Sequence, residues 1–505
     1  MTQPKPILQE KLKEIRRLKK AKKFAEAEVA GCIACRRFPK NKTLLSEHAD
    51  TAVRQERWAS AIKRLNLLLA YQEMGAAAEQ TIHRLVAIYI SLGQPGEAQL
   101  RVAQALEECP GSFTLRKTMA ELHLLRPEGA ADPGLWRDLA AAPELDSAED
   151  AIRVKVVAAC VAGLRLAGCA AEARELLARH YRPENPAWQR YIKDGYAKVV
   201  VYDNGRTRLE YYSKLFDVGT LEIVESIQLA TTFDIMGQSW TREPFVYKPL
   251  APKAVDFLSL RKRSRSDFHQ DFTRAEYLRI AVPIAARYPD CVAFGQSLGG
   301  YSALYYGCWL PGCRVLASAP RNPQHPLYST KRYARYDLFR HEYDMPRNES
   351  ATPTIVYDPK NSLEGPYIEK SLRHTFPKAK FVPYPHCGHS ITRYLLDVGI
   401  LKSSTLGFCE GVQFPDFDRK LRRRSPEYLR NLARANFAAS RKRWAIALLA
   451  RALELGNNRE MTELLIARID PPPPPLPASR FERLKKWFIR RVLRRKKKNK
   501  SPPVS

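Results

Sequence analysis

The run Cys291-Val-Ala-Phe-Gly-Gln-Ser-Leu-Gly-Gly-Tyr-Ser-Ala-Leu304 limits the possible folds more than any other stretch of this 505-residue chain. Four apolar residues read as a buried strand, Gly-x-Ser-x-Gly as a tight turn, and the rest as a helix. A strand-to-helix turn this sharp holds its serine in a strained backbone conformation with the hydroxyl raised above the sheet. Side chains two residues before and after the serine would clash, a demand that Gly295 and Gly299 meet, and Gly300 eases packing of the following helix. Ser297 is therefore the candidate nucleophile. Leu298, at the helix start, offers its backbone N–H as half of an oxyanion hole.

The surroundings supply the sheet that such a turn needs. From about residue 190, short apolar runs alternate with helical patterns. The runs are 197–202, 227–233, 292–294, 314–318, 354–357 and 380–384, and the helical patterns include 274–288, 298–309, 366–376 and 391–401. Strands alternating with helices predict an α/β domain with a mostly parallel sheet. The run 354–357 leads into Asp358, an acid at the end of a strand, with Glu364 six residues on as the alternative. The run 380–384 leads into Pro-His-Cys-Gly-His-Ser, which places His389 in a loop, with His386 competing.

Serine, acid and histidine in that order, each after a strand, resemble the α/β-hydrolases over residues 195–402. The resemblance implies Ser297 as nucleophile, His389 as general base and Asp358 as the group that orients the imidazole. It also implies a second oxyanion donor after an earlier strand, at Ile235 or Met236, although no His-Gly-Gly motif is present; Asp234 beside them is a turn residue or a substrate contact. The segments ATTFDIMG, SDFHQD, GQSLGGYSALYYG, YDP and GHSITRYL are similar to bacterial serine-hydrolase-like proteins of accessory Sec systems and of capsule and surface-polysaccharide assembly. That similarity implies acyl-ester chemistry on a glycan or glycolipid, by hydrolysis or by transfer. The triad mechanism needs no cofactor.

Residues 321–350 occupy the position of a lid and are rich in cations and aromatics. Arg321 and His325 are its candidate substrate-binding residues, with Lys331, Arg332, Tyr333, Arg335, Tyr336, Arg340 and His341 nearby. Arg261, Lys262, Arg263 and Arg265, just before Asp267–His269, add charge. Together they suggest a polyanionic glycan substrate.

Residues 8–181 read as helix after helix. A small-residue signature recurs as Phe24-Ala-Glu-Ala27, Trp58-Ala-Ser-Ala61, Pro95-Gly-Glu-Ala98 and Ala171-Glu-Ala173, with final alanines 34, 37 and 75 residues apart. Pro39 and Pro110 each lie twelve residues beyond their alanine, where a helix should stop. A small residue at that point lets one helix of an antiparallel pair press on its mate, and the period resembles tetratricopeptide repeats. Such a solenoid implies a protein partner. After residue 420 the texture returns, with Trp444-Ala-Ile-Ala447 matching Trp58-Ala-Ser-Ala61. The expected fold class is therefore α/β, with an α/β-hydrolase-like sheet at 189–405, a TPR-like α-solenoid at 1–188, a helical pair at 420–470, a proline-rich linker at 471–477 and a basic amphipathic tail at 478–505.

The formal net charge of +31 is concentrated at the ends. Residues 480–500 hold twelve Lys/Arg against Glu482, and Phe481, Leu484, Phe488 and Val492 form one helical stripe. That pattern suits an anionic membrane surface. No zinc-finger, RNA-recognition or phosphate-loop motif favours nucleic acid. There is no apolar leader at the N-terminus and no apolar run of spanning length, and ten cysteines without an export signal suggest reduced thiols. The expected location is cytoplasmic, peripheral at the inner membrane face. Cys32 and Cys35 form a lone C-x-x-C inside a helical pattern, for which no metal is expected.

Overall fold

The computed structural model describes residues 5–126, 129–236, 238–264, 268–328, 339–456 and 459–469. The proline run and the basic tail lie outside the described residues. The chain divides into two compact units. The first comprises Met1–Pro385, His389–Thr392 and Gly399–Phe417, and the second His386–Gly388, Arg393–Val398 and the chain from Asp418 on.

In the first unit, the helices Phe24–Arg37, Trp58–Leu69, Pro95–Glu108 and Ala170–His180 each carry a fully buried alanine at their fourth position: Ala27, Ala61, Ala98 and Ala173. Each follows a mate, namely Lys5–Lys20, Lys42–Arg54, Ala76–Ser91 and Asp150–Leu166. Beyond Pro39 and Pro110 the next helices are capped by Asn41 and Ser112, whose side chains accept from Leu44 N–H and Leu115 N–H. The long gap between Ala98 and Ala173 has a physical origin. There, Phe113–His123 is followed by short helices, Gly134–Ala140 and Glu144–Ser147. Trp136 of the first short helix lies so close to Gly163 that a Cβ there would sit 2.3 Å from the indole.

Helix Asp150–Leu166 is apolar on nearly every face and packs against the first two strands of the sheet, so it is a core helix rather than a surface one. Its buried Arg165 donates to the carbonyls of Lys214 and Val224. The last helical pair and the sheet thus share one hydrophobic core, while the buried alanines Ala27, Ala61 and Ala98 belong to separate clusters of their own.

The sheet has eight strands: β1 (Tyr196–Asp203), β2 (Thr207–Lys214), β3 (Gln228–Phe233), β4 (Val255–Lys262), β5 (Asp290–Gln296), β6 (Arg314–Ser318), β7 (Thr354–Tyr357) and β8 (Lys380–Pro383). Their order is β1-β2-β4-β3-β5-β6-β7-β8. β2 runs antiparallel to both neighbours and all other pairs are parallel. β5 is central and apolar, and its carboxyl end carries Ser297.

β2 and β4 have no counterpart among the sequence-derived strands. Both contain charges that look incompatible with a buried strand: Glu210 and Lys214 in β2; Asp256, Arg261 and Lys262 in β4. All five are buried, and the sheet itself supplies partners. Arg261 donates to Asp234 at 2.8 Å and lies 3.4 Å from Glu210, while Asp256 accepts from Tyr211, Tyr288, Ser226 and the Lys214 N–H.

In the second unit, the described helices Pro426–Ala438, Lys442–Glu454 and Arg459–Ile469 replace the expected pair. The small-residue match also shifts by two positions. Ala445, fourth in its helix, is fully buried, whereas Ala447 is exposed and Trp444 is 69% exposed. Burial follows helix position, and the sequence match had been anchored on the tryptophan. No described helix is long and apolar enough to cross a membrane.

Candidate active site

The elbow is built by close backbone approach. A Cβ on Gly295 would lie 1.9 Å from the Gly299 carbonyl, and one on Gly299 would lie 2.7 Å from that of Phe233. Ser297, between them, takes φ 55° and ψ −118°, a conformation few non-glycine residues adopt and one that needs surrounding bonds to hold it. Those bonds are present. Ser297 N–H donates to Ser318 O at the end of β6, and Ser297 O accepts from Arg321 N–H at 3.0 Å. The hydroxyl therefore stands at the carboxyl edge of the sheet on a residue that is 8% exposed.

Ser297 Oγ lies 2.7 Å from His389 Nε2, and His389 Nδ1 lies 2.5 Å from Glu364 Oε1. With the carboxylate accepting from Nδ1–H, Nε2 is the lone-pair nitrogen that accepts the serine proton. The imidazole is 26% exposed, while the Glu364 side chain is sealed from solvent. Asp358 does not take the acid's place. Its Oδ1 accepts from Lys360 N–H and its carbonyl from Asn361 N–H, forming a turn. Asn361 in turn accepts from Leu363 and Glu364 N–H groups, which starts the short helix Glu364–Tyr367 and brings Glu364 to the histidine. The correction is one of reach: Asp358 ends its strand in a tight turn, and the carboxylate that meets the imidazole is that of Glu364, one turn later.

The loop after β3 lies against the elbow, with a Cβ on Gly299 3.6 Å from Ile235 Cγ2. Ile235 N–H donates to Gln238 Oε1, so of the two proposed oxyanion donors Met236 is the one left with no acceptor among the described residues. Leu298 N–H, first in helix Leu298–Tyr305, likewise has none there. One contact escaped the sequence reading: Thr392 Oγ1 donates to Gln296 Oε1 at 2.7 Å, tying the histidine-bearing segment to the elbow. The only signals for it were the free position in Gly-x-Ser and a threonine three residues past the histidine.

The expected substrate-binding residues separate. Arg321 lies beside the nucleophile through its backbone. His325 is a structural histidine instead: Leu327 N–H donates to its Nδ1, Nε2–H donates to Tyr343 O, and Tyr328, Phe339 and Tyr367 enclose the ring. Burial pushes its pKa down. His341 is similarly enclosed, stacked on Tyr305 at 4.1 Å and bonded to the His269 carbonyl, and burial lowers its pKa to about 4. Arg261 and Lys262 are buried and Arg261 is bound within the sheet, so neither contributes to a surface of cations. Asp234 is Arg261's partner rather than a substrate contact. Lys331, Arg332, Tyr333, Arg335, Tyr336 and Arg265 fall outside the described residues.

Among the described residues, Glu28, Cys32 and His48 bring three possible metal-ligating atoms within 4.8 Å of one another. Arg64 and Arg57 both pair with Glu28, so two fixed cations oppose a third at that point.

No protein-family profile matches the chain, and no curated protein matches it in sequence. Among solved structures it is similar to YrrB, a TPR protein with an unusual peptide-binding site, at 13% identity over 36% of this chain and 90% of that one, with a TM-score of 0.24. It is also similar to Est1E from Butyrivibrio proteoclasticus, at 15% identity over 41% of this chain and 97% of that one, TM-score 0.26. An O-GlcNAc transferase mutant from Thermobaculum terrenum gives 10% identity over 93% of this chain and 98% of that one, TM-score 0.23.

Proposed function

We propose that the chain is a serine-dependent acyl hydrolase or acyltransferase. The observation that carries this reading is the hydrogen-bonded line Ser297–His389–Glu364 raised on a strained elbow. Ser297 Oγ attacks an ester carbonyl as His389 Nε2 takes its proton, and Glu364 stabilises the imidazolium that forms. Leu298 N–H, with Met236 N–H as the second donor, carries the negative charge developing on the carbonyl oxygen. His389 then returns its proton to the leaving alcohol, and the acyl-serine passes to water or to a second hydroxyl. Exclusion of water from the cleft decides between those acceptors.

The motif resemblance suggests an acyl ester of a surface polysaccharide or glycolipid as substrate. The helical repeats suit a protein partner, and the sequence pattern of residues 480–500 suits an anionic membrane surface at the inner face. The test is labelling with a fluorophosphonate probe. Wild type should label, and Ser297→Ala and His389→Ala should not. A folded wild type that stays unlabelled would overturn the reading in favour of a catalytically silent scaffold in a surface-glycan assembly complex.

A further inference from the structure

A cleft of about 570 Å³ opens on the carboxyl edge of the sheet, lined in part by the turn between β1 and β2, the segment after β4 and the segment after β6. Arg206, Arg263 and Arg340 converge on it from those three directions. All three are exposed, and among the described residues none has an acidic partner. Arg263 is nonetheless held in place: its guanidinium lies 5.7 Å from the centre of the Trp58 ring and donates to Gly205 O. Gln324 also lines the cleft; the residue is only 7% exposed, and its side-chain amide makes no hydrogen bond to another described residue.

Two carboxylates line the same cleft. Asp271 is already engaged, its oxygens accepting from Thr207 Oγ1 and Asn204 Nδ2, and Glu56 stands exposed on the repeat side. Three guanidiniums therefore face one unengaged carboxylate. Guanidinium forks suit phosphate and carboxylate oxygens, and the volume suits a hexose-sized body whose hydroxyls the Gln324 amide can meet.

We propose that this cleft is a binding site for a small anionic ligand, a sugar-sized molecule bearing a phosphate or carboxylate group. Calling that ligand part of the substrate rests on the hydrolase reading, because Ser297 stands on the same sheet edge. The binding itself does not. The neighbourhood of cations in sequence is thus sorted by the fold: Arg261 and Lys262 go inward, Arg263 and Arg340 go to the cleft, and Arg206 joins them from a turn that the sequence did not single out.

Titration calorimetry of the full chain at low ionic strength with glucose 1-phosphate, glucuronate and glucose tests it. One or both charged sugars should bind saturably and glucose should not, and which one binds identifies the anion. Arg206→Gln/Arg340→Gln should weaken that binding at least tenfold, and Glu56→Gln should tighten it. Absence of binding by both charged sugars, equal binding of glucose, or an unchanged double variant would each overturn the proposal. Binding is also read in Ser297→Ala. A chain that binds but never labels with fluorophosphonate defeats the hydrolase reading alone, and one that labels but does not bind defeats this one alone.

Discussion

Two buried carboxylates in the first unit have opposite roles. Glu364 and Asp234 are both sealed from solvent, both follow strands of the same sheet, and both hold a nitrogen base. Glu364's partner, His389, is partly exposed and passes on to a serine hydroxyl. Asp234's partner, Arg261, is fully buried and ends on Glu210, the Tyr212 hydroxyl and the carbonyls of Ser239 and Arg242. The first chain of groups is open at one end, so a proton can leave it. The second is closed to proton transfer: Glu210 also pairs with the partly exposed Lys198 and Arg208, and guanidinium does not give up its proton near neutrality. A buried charge therefore says nothing about chemistry until the far end of its network is traced.

The most damaging change should come at the open network. Glu364→Gln keeps the shape but removes the charge that stabilises imidazolium, and it should slow fluorophosphonate labelling by about 10²-fold or more. Asp358→Asn should change that rate by less than about threefold, since its carboxylate accepts a backbone N–H in a turn. Labelling rates that reversed this order would move the acid to Asp358 and dissolve the contrast.

That choice also marks how far the sequence could be read. The elbow was legible because everything it needs is local: an apolar strand, two glycines and a helix within fourteen residues. His389 was legible as a histidine in a loop after a late strand. The acid was not, because Asp358 and Glu364 both follow β7, and only the turn around Asn361 decides which reaches the imidazole. β2 and β4 were illegible for a related reason. Their charges argue against burial until sheet order brings Glu210, Asp234 and Arg261 together, and no periodicity along one strand encodes a partner on another.

The closed network should fail as structure. Arg261→Met leaves Asp234 buried without its cation, and Glu210 with only Lys198 and Arg208, and should cost roughly 3–5 kcal/mol in urea unfolding. Arg261→Met/Asp234→Asn should recover part of that loss, because one stranded charge is removed with its partner. The folded fraction of either variant should label with fluorophosphonate at the wild-type rate. A labelling defect that tracks Arg261 in fully folded protein would make the closed network part of the site after all.

The same distinction sets the pH response. His341 and His269 are buried, with pKa values lowered to about 4 and about 3 by burial, against about 6.5 in the unfolded chain. Between pH 6.5 and 4 the unfolded state binds more protons at these positions, so stability falls as pH falls, by up to about 1.4 kcal/mol per pH unit for each group. Above pH 6.5 both groups are neutral in either state and their contribution is constant. His341→Phe should flatten the acid limb in urea titrations at several pH values. An unchanged limb would mean that the histidine is not held neutral by burial.

The smallest effect sharpens the comparison between the helices of the two units. If burial at the fourth position is what the alanines share, Ala445→Leu should overpack its helix contacts and cost about 1–3 kcal/mol, as should Ala61→Leu in the first unit. Ala447→Leu, on the exposed face, should change stability by no more than about 0.5 kcal/mol. The fourth position is where a helix that has just turned back meets its mate, so a methyl there sets how closely the two axes approach. The tryptophan three residues before Ala447 carries no such constraint: Trp58 begins its helix, whereas Trp444 lies on an exposed face at the third position of its own. Equal costs at 445 and 447 would mean that the sequence match, anchored on tryptophan, had identified the packing position and that burial had not.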